Sequence, residues 1–247
     1  MRKSLIACGA LLTLAGLAVS AQAQVPVVDY KIYRSASTLM MDGKITEVLW
    51  QKAPVVTMAG TKGEPTAQKT TVQLLWDDTY FYVGIQAQDS DAWTTFTENE
   101  TNLWENEVLE VYLDPTGIGN SYYEFEISPA GNVIDLFVTN GGQRLDGKFI
   151  SMREWNCAGL RSKAFVNGDA KPGTQDVSWS AEMMIPFDSL WTAGKAHPEP
   201  GDTWRVNMYR WERNTANPKE QVLSCMSSTD GREPHTPWRF ATVTFMK

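Results

Sequence analysis

The sequence predicts an all-β chain folded as an antiparallel two-sheet β-sandwich of the jelly-roll kind. Three observations carry that prediction: apolar and polar residues alternate over short runs, turn signals punctuate those runs, and few stretches have a helical pattern. Each element can be justified in chain order.

The chain of 247 residues opens with Arg2 and Lys3, an apolar run from Leu5 to Val19, and Ala21-Gln22-Ala23. The last of these has the small-x-small form a signal peptidase needs. Residues 1–23 are therefore expected to be a removed signal peptide, and 24–247 a single exported domain, periplasmic or extracellular. Leu5-Ile6-Ala7-Cys8 looks like a lipoprotein box, but its hydrophobic region follows Cys8 instead of preceding it. No later segment offers about 18 consecutive apolar residues, so no membrane insertion is expected.

The stretch 42–50 is the best candidate helix, with Asp42 or Thr46 near its start, and 189–192 a short helical turn. The runs 72–76 and 80–88, joined by Asp77-Asp78-Thr79, read as a β-hairpin. Further strands are expected at 107–114, 122–127, 132–138, 163–167, 177–185, 203–211 and 240–245. Asp114-Pro115, Pro129-Ala130-Gly131, Asn140-Gly141-Gly142, Asn167-Gly168 and Pro200-Gly201 supply turns between them. Successive strand side chains point to opposite faces. Leu109, Val111 and Leu113 therefore oppose Val108, Glu110 and Tyr112. Likewise Tyr123, Phe125 and Ile127 oppose Tyr122, Glu124 and Glu126, and Trp204, Val206 and Met208 oppose Arg205, Asn207, Tyr209 and Trp211.

Each of these strands offers one face to a core and, on the other, carboxylate, amide, guanidinium and aromatic groups. That mixture suits a sugar, whose C–H patches stack on aromatic rings and whose hydroxyls pair with Asp, Glu, Asn or Arg. The same residues would also solubilise an exposed sheet, and the pattern alone leaves both readings open. The chain has ten Trp, 22 basic and 29 acidic residues, for a net charge of −7. Loss of the leader, with Arg2 and Lys3, makes it more acidic. No basic cluster suits phosphate, so nucleic acid is not an expected partner. An oxidising compartment would allow a disulfide between Cys157 and Cys225, while two separate buried thiols fit the spacing equally well.

Four segments occur in an order that resembles carbohydrate-binding module family 9, within the larger group of DOMON-like β-sandwiches. They are Met41-Asp42-Gly43-Lys44-Ile45 with Trp50; residues 72–88 with Trp76-Asp77-Asp78; the run from Leu103-Trp104-Glu105 to Leu113-Asp114; and Trp179-Ser180-Ala181-Glu182-Met183-Met184-Ile185-Pro186-Phe187 with Leu190. Trp204-Arg205-Val206-Asn207-Met208-Tyr209-Arg210 and Trp238-Arg239-Phe240-Ala241 close the domain in the same way.

The resemblance implies a sugar site at one end of a sandwich and structural calcium. Trp104 matches a ring that clamps the terminal sugar, and Glu110 matches a carboxylate that bonds its hydroxyls. Glu126 and Ser128 stand where sugar-binding members carry basic and amide groups. The second clamping ring would fall near Pro234-His235, with Trp238 or Trp211 to complete the clamp. Asn207, from a strand the family also uses, is a further candidate, ahead of Arg210 on the opposite face. Asp89 and Asp91 are the candidate calcium ligands among the loops.

The implied function is non-catalytic recognition of a mono-, oligo- or polysaccharide in polysaccharide catabolism, in association with glycoside hydrolases. Glu107, Glu110, Glu124, Glu126 and Asp135 could supply a glycosidase carboxylate pair, but no catalytic motif accompanies them. Two alternatives remain beside it. One is a b-type haem held by a His and a Met, with His197 and His235 the available histidines, although no haem is expected. The other is an envelope protein-interaction module.

Overall fold

The computed structural model describes residues 25–139, 149–192, 194 and 197–247. The expected leader lies outside them. Among the described residues the chain forms fourteen strands: β1 (Asp29–Arg34), β2 (Val56–Thr57), β3 (Ala59–Gly60), β4 (Thr70–Trp76), β5 (Tyr80–Gln88), β6 (Val108–Asp114), β7 (Ser121–Ile127), β8 (Val133–Thr139), β9 (Ile150–Met152), β10 (Arg161–Asn167), β11 (Ser178–Pro186), β12 (Thr203–Asn214), β13 (Asn217–Cys225) and β14 (Ala241–Phe245).

Two layers follow from the pairing. The first runs β10-β11-β5-β4, with β2 on β4, and the second runs β14-β12-β6-β7-β8-β9, with β13 on β12. Strand β1 belongs to both. Its residues 29–32 pair with β14, and Tyr33 and Arg34 pair with β4, in each case parallel. The sheet is therefore mixed at this one crossing and antiparallel elsewhere. The β4–β5 hairpin turns as the sequence requires, because Asp77 Oδ1 accepts the Thr79 and Tyr80 amides at 2.7 and 2.8 Å.

Between the layers lies the main core. Leu109, Val111, Leu113, Tyr123, Phe125, Val206 and Met208 of the second layer meet Val72, Leu74, Val83, Ile85 and Met183 of the first. Phe81 stacks on Trp204 with ring centroids 5.9 Å apart. The alternation of the sequence thus places the inward residues correctly. It does not anticipate that the other face of β6 and β7 is buried too. Val108, Tyr112, Tyr122, Leu136, Tyr209 and Phe240 form a second apolar cluster there, ringed by Phe96, Trp104, Phe149 and Trp211.

The helix expected over 42–50 is absent. Only Val48–Lys52 winds, as a 3-10 turn. The Asp42 and Gly43 amides donate instead to the buried Glu182 carboxylate, at 3.1 and 2.9 Å, as does the Trp50 indole at 3.0 Å. Gly43 has φ of +84°, and a Cβ there would lie 2.7 Å from the Ala164 backbone. A left-handed residue pressed against another strand cannot continue into a helix. The expected turn at 189–192 also falls earlier, at Phe187–Ser189.

Both cysteines are free and buried, which resolves the possible Cys157–Cys225 disulfide against pairing. Cys157 packs in the core between the layers, whereas Cys225 belongs to the cluster on the outer face of the second layer. The two thiols are thus on opposite sides of a sheet, and no disulfide can span it without moving backbone.

Candidate ligand pocket

The outer face of the second layer opens into a cavity of about 480 Å³. Its floor is set by strand register. Glu110 on β6 lies directly opposite Glu126 on β7, and Tyr112 directly opposite Glu124. Side-chain alternation then projects all four into the cavity. Trp104 lies in a 3-10 turn at Leu103–Glu105, immediately before β6. Trp211 and Arg213 come from β12, Arg153 and Phe149 from beside β9, and His235 from the 233–235 segment.

Polar contacts hold the walls. The Arg213 guanidinium donates to the Trp104 carbonyl at 2.6 Å and the Asn106 carbonyl at 3.0 Å. Arg153 lies over the Trp104 ring, 5.5 Å from its centroid, while donating to Asn102 Oδ1 and the Glu100 carbonyl. These contacts fix one edge of Trp104 and leave the ring half-buried. Opposite, Phe149 stacks on His235 at 3.8 Å, and His235 Nδ1 lies 2.5 Å from the Tyr122 hydroxyl.

The floor is unusual for its charge. Glu110, Glu124 and Glu126 are exposed by only 1, 4 and 1%. Glu124 Oε1 accepts the Tyr112 hydroxyl at 2.8 Å. Burial and the neighbouring Glu124 charge hold the Glu110 carboxyl well above the usual carboxylate range, against hydrogen bonds from Tyr112 and Trp211. Burial raises Glu124 to about 7. Burial, then the charges of Glu110 and Glu124, push Glu126 well upward. The reading of this face as a merely solvated surface is therefore overturned, because its carboxylates are inside the molecule.

The remaining residues singled out in the sequence go elsewhere. Ser128 lies in the β7–β8 turn, its hydroxyl accepting the Asn132 amide at 3.2 Å. Asn207 is fully buried below the pocket. Its side chain donates to the Tyr209 hydroxyl and the Ser227 carbonyl, and accepts the Ser227 amide at 2.9 Å. Trp238 is 48% exposed and lies outside the cavity lining. Asp89 forms a buried ion pair with Arg210 at 2.7 Å. Asp91 accepts the Thr215 amide and hydroxyl. Arg205 donates to the Phe240 carbonyl. His197 contacts Asp188 and the Asp78 carbonyl, away from His235. Asp135 accepts the Cys157 amide.

Trp104, Glu110, Glu124, Glu126 and Trp211 are thus the sequence candidates that the fold brings together. Tyr112 was within reach of the same reasoning, since it shares strand parity with Glu110 and lies opposite Glu124. Arg153 and Phe149 were not, because the short strand β9 leaves no alternation to read.

Comparison with known proteins agrees with this architecture. Residues 41–129 match the family model described as carbohydrate family 9 binding domain-like. An 87-residue stretch is 30% identical to exoglucanase XynX of Acetivibrio thermocellus, covering 35% of this chain and 8% of that protein. The chain therefore spans a small fraction of that relative's length. Among solved structures, a candidate carbohydrate-binding protein from Bacteroides uniformis superposes with a TM-score of 0.71 at 14% identity, over 89% of this chain and 100% of the other. A family 9 carbohydrate-binding module from Caldicellulosiruptor kristjanssonii, solved with cellotriose, gives a TM-score of 0.60 at 13% identity, over 87% and 93%. At these identities the structures establish a shared fold.

Proposed function

We propose that this chain, whose residues 41–129 match the carbohydrate family 9 binding domain-like model, is an exported, non-catalytic saccharide-binding protein whose site is the outer-face pocket. The observation that carries the reading is the union, in one cavity, of exposed aromatic faces with buried carboxylates. Trp104 offers a ring for the C–H face of a pyranose. Glu110 and Glu126 offer acceptors for vicinal hydroxyls, and the Arg153 and Arg213 guanidiniums offer donors at the rim. Trp211, on the same strand as Asn207, serves in this reading as the second ring.

Export rests on the leader-like N-terminus, and a role in polysaccharide breakdown beside glycoside hydrolases rests on the kind of relative the sequence matches. Catalysis by a carboxylate pair is the weaker reading. Glu110 and Glu126 are directly cross-strand, which places such side chains about 5 Å apart at the Cβ atoms. That spacing is accompanied by no catalytic glycosidase motif in the sequence, so it carries no reaction by itself.

The test is isothermal titration of the purified protein with a panel of mono- and oligosaccharides, cellotriose and glucose among them. Saturable binding is expected, weakened at least about tenfold, or 1.4 kcal/mol, in Trp104→Ala. No binding by a folded protein across the panel would overturn the saccharide reading. Release of reducing ends from an oligosaccharide would overturn the non-catalytic one.

A further inference from the structure

The pocket floor holds more negative charge than a neutral sugar can answer. One carboxylate oxygen from each of Glu110, Glu124 and Glu126 lies within 4.8 Å of the others. Each of the three residues also has at least one buried oxygen without a hydrogen-bond partner, and Glu126 has two. Glu126 is 1% exposed and lines the cavity, and one of its two buried, unpartnered oxygens belongs to this cluster.

The charges of Arg213 and Arg153 act on Glu110 and Glu126 from nearby, but neither guanidinium forms an ion pair with them. Arg213 is committed to the carbonyls of Trp104, Asn106 and Pro218, and Arg153 to Asn102 and the Glu100 carbonyl. Among the described residues no salt bridge joins Glu110, Glu124 or Glu126 to a lysine or arginine. Three buried carboxylates at this spacing cannot all be ionised unless a positive charge lies among them.

From this geometry we propose that Glu110, Glu124 and Glu126 form a calcium-type divalent cation site in the pocket floor, with its open positions facing the cavity. The donors are all oxygen, which selects a hard cation over zinc or copper. Calcium binds oxygens at about 2.3–2.6 Å, so ligands on one ion can stand up to about 5 Å apart, enough for the observed spread. Magnesium is less suited, since it usually takes one or two carboxylates and keeps its waters. Calcium needs six to eight oxygens. Three glutamates leave positions for water or for the vicinal hydroxyls of a sugar stacked on Trp104. This last step rests on the saccharide reading, whereas the cation site does not.

The contrasting acidic group, Asp42, Glu47 and Glu182, lies on the outer face of the other layer. Its buried member already accepts three N–H donors. It supplies the control.

Terbium, whose luminescence is sensitised by nearby Trp and Tyr, is titrated into chelator-stripped protein and competed with calcium. The site predicts a saturable signal that calcium displaces, at least tenfold weaker in Glu126→Gln and in Glu124→Gln, and unchanged in Glu47→Gln. The near-ultraviolet circular dichroism of each variant verifies folding. A signal that survives both pocket substitutions, one lost in Glu47→Gln, or no saturable signal at all would overturn the site.

Saccharide titrations in calcium and in chelator complete the test. Sugar binding that needs calcium supports the coupling, and equal binding in both buffers overturns it. Stronger binding of glucosamine in chelator than in calcium overturns it as well, since an ammonium would then be the natural cation. Terbium binding without any saccharide binding supports the metal site and counts against the saccharide reading alone.

Discussion

At the residue scale, the pocket depends on charges that lie just behind it. Arg210 is on the core-facing side of β12, opposite in parity to Asn207, and is almost wholly buried. Its guanidinium donates to Asp89 at 2.7 Å, to Thr70 Oγ1 at 3.1 Å and to the Gln88 carbonyl at 3.0 Å. Removing one member of such a pair strands a buried charge, so Arg210→Ala is expected to cost about 3–5 kcal/mol in urea unfolding. Glu107 adjoins this pair. Burial, then a hydrogen bond to Asp89 and its charge, hold the Glu107 carboxyl well above its usual 4.5. Protonated, it donates to Asp89 and accepts the Arg213 amide at 3.0 Å. A raised folded value means that the native state binds the proton more tightly than the unfolded state. The stabilisation is complete below about pH 4.5 and is lost as pH rises through the folded value. Glu107→Gln keeps both the donor and the acceptor without the proton. Its stability relative to the wild type should therefore rise as the pH climbs from about 4.5 toward the raised folded value, with a limiting slope of about 1.4 kcal/mol per pH unit. A constant difference across that range would exclude a protonated Glu107.

At the element scale, strands with a strict period were legible and irregular segments were not. The alternation in β6, β7 and β12 gave the inward faces and put Glu110 and Glu126 together, because register follows from parity. It could not show that their outward faces are covered. That cover comes from the 93–106 and 225–240 segments, which carry no period. Asn207 illustrates the gap: its parity is right for the pocket face, yet its side chain is spent fastening Ser227. Tyr209, beside it, fastens the Pro234 carbonyl at 2.9 Å. Together they position the segment that brings His235 to the pocket. Asn207→Ala leaves the buried Ser227 amide and carbonyl without partners. It should cost about 2–6 kcal/mol, summed from about 1–3 for each stranded group, as read by urea unfolding. The 42–50 stretch misled for a related reason. Its acidic and capping residues suit a helix start, but Glu182, 132 residues from Trp50, claims the amides. Gly43→Ala should accordingly destabilise more than Gly173→Ala. Both have positive φ, but nothing lies within 4 Å of a Cβ at Gly173.

At the scale of the whole molecule, the two-layer fold supplies the pocket by bringing distant segments onto one rigid sheet. The floor is two adjacent strands, while the walls come from residues 104, 149–153, 211–213 and 233–235. The cavity therefore exists only in the folded chain, and the family-like motifs predict its floor better than its walls. The core between the layers needs no covalent staple. With Cys157 and Cys225 apart and buried, a reductant should leave the thermal midpoint unchanged, and a lower midpoint would reveal a bond that the structure does not contain. The central claim is that a saccharide occupies the outer-face pocket. The most direct measurement is the set of tryptophan indole N–H resonances followed during titration with cellotriose. The account predicts saturable shifts at Trp104 and Trp211, with the core indoles of Trp76 and Trp179 still. Shifts confined to Trp238, or none at any indole, would contradict it.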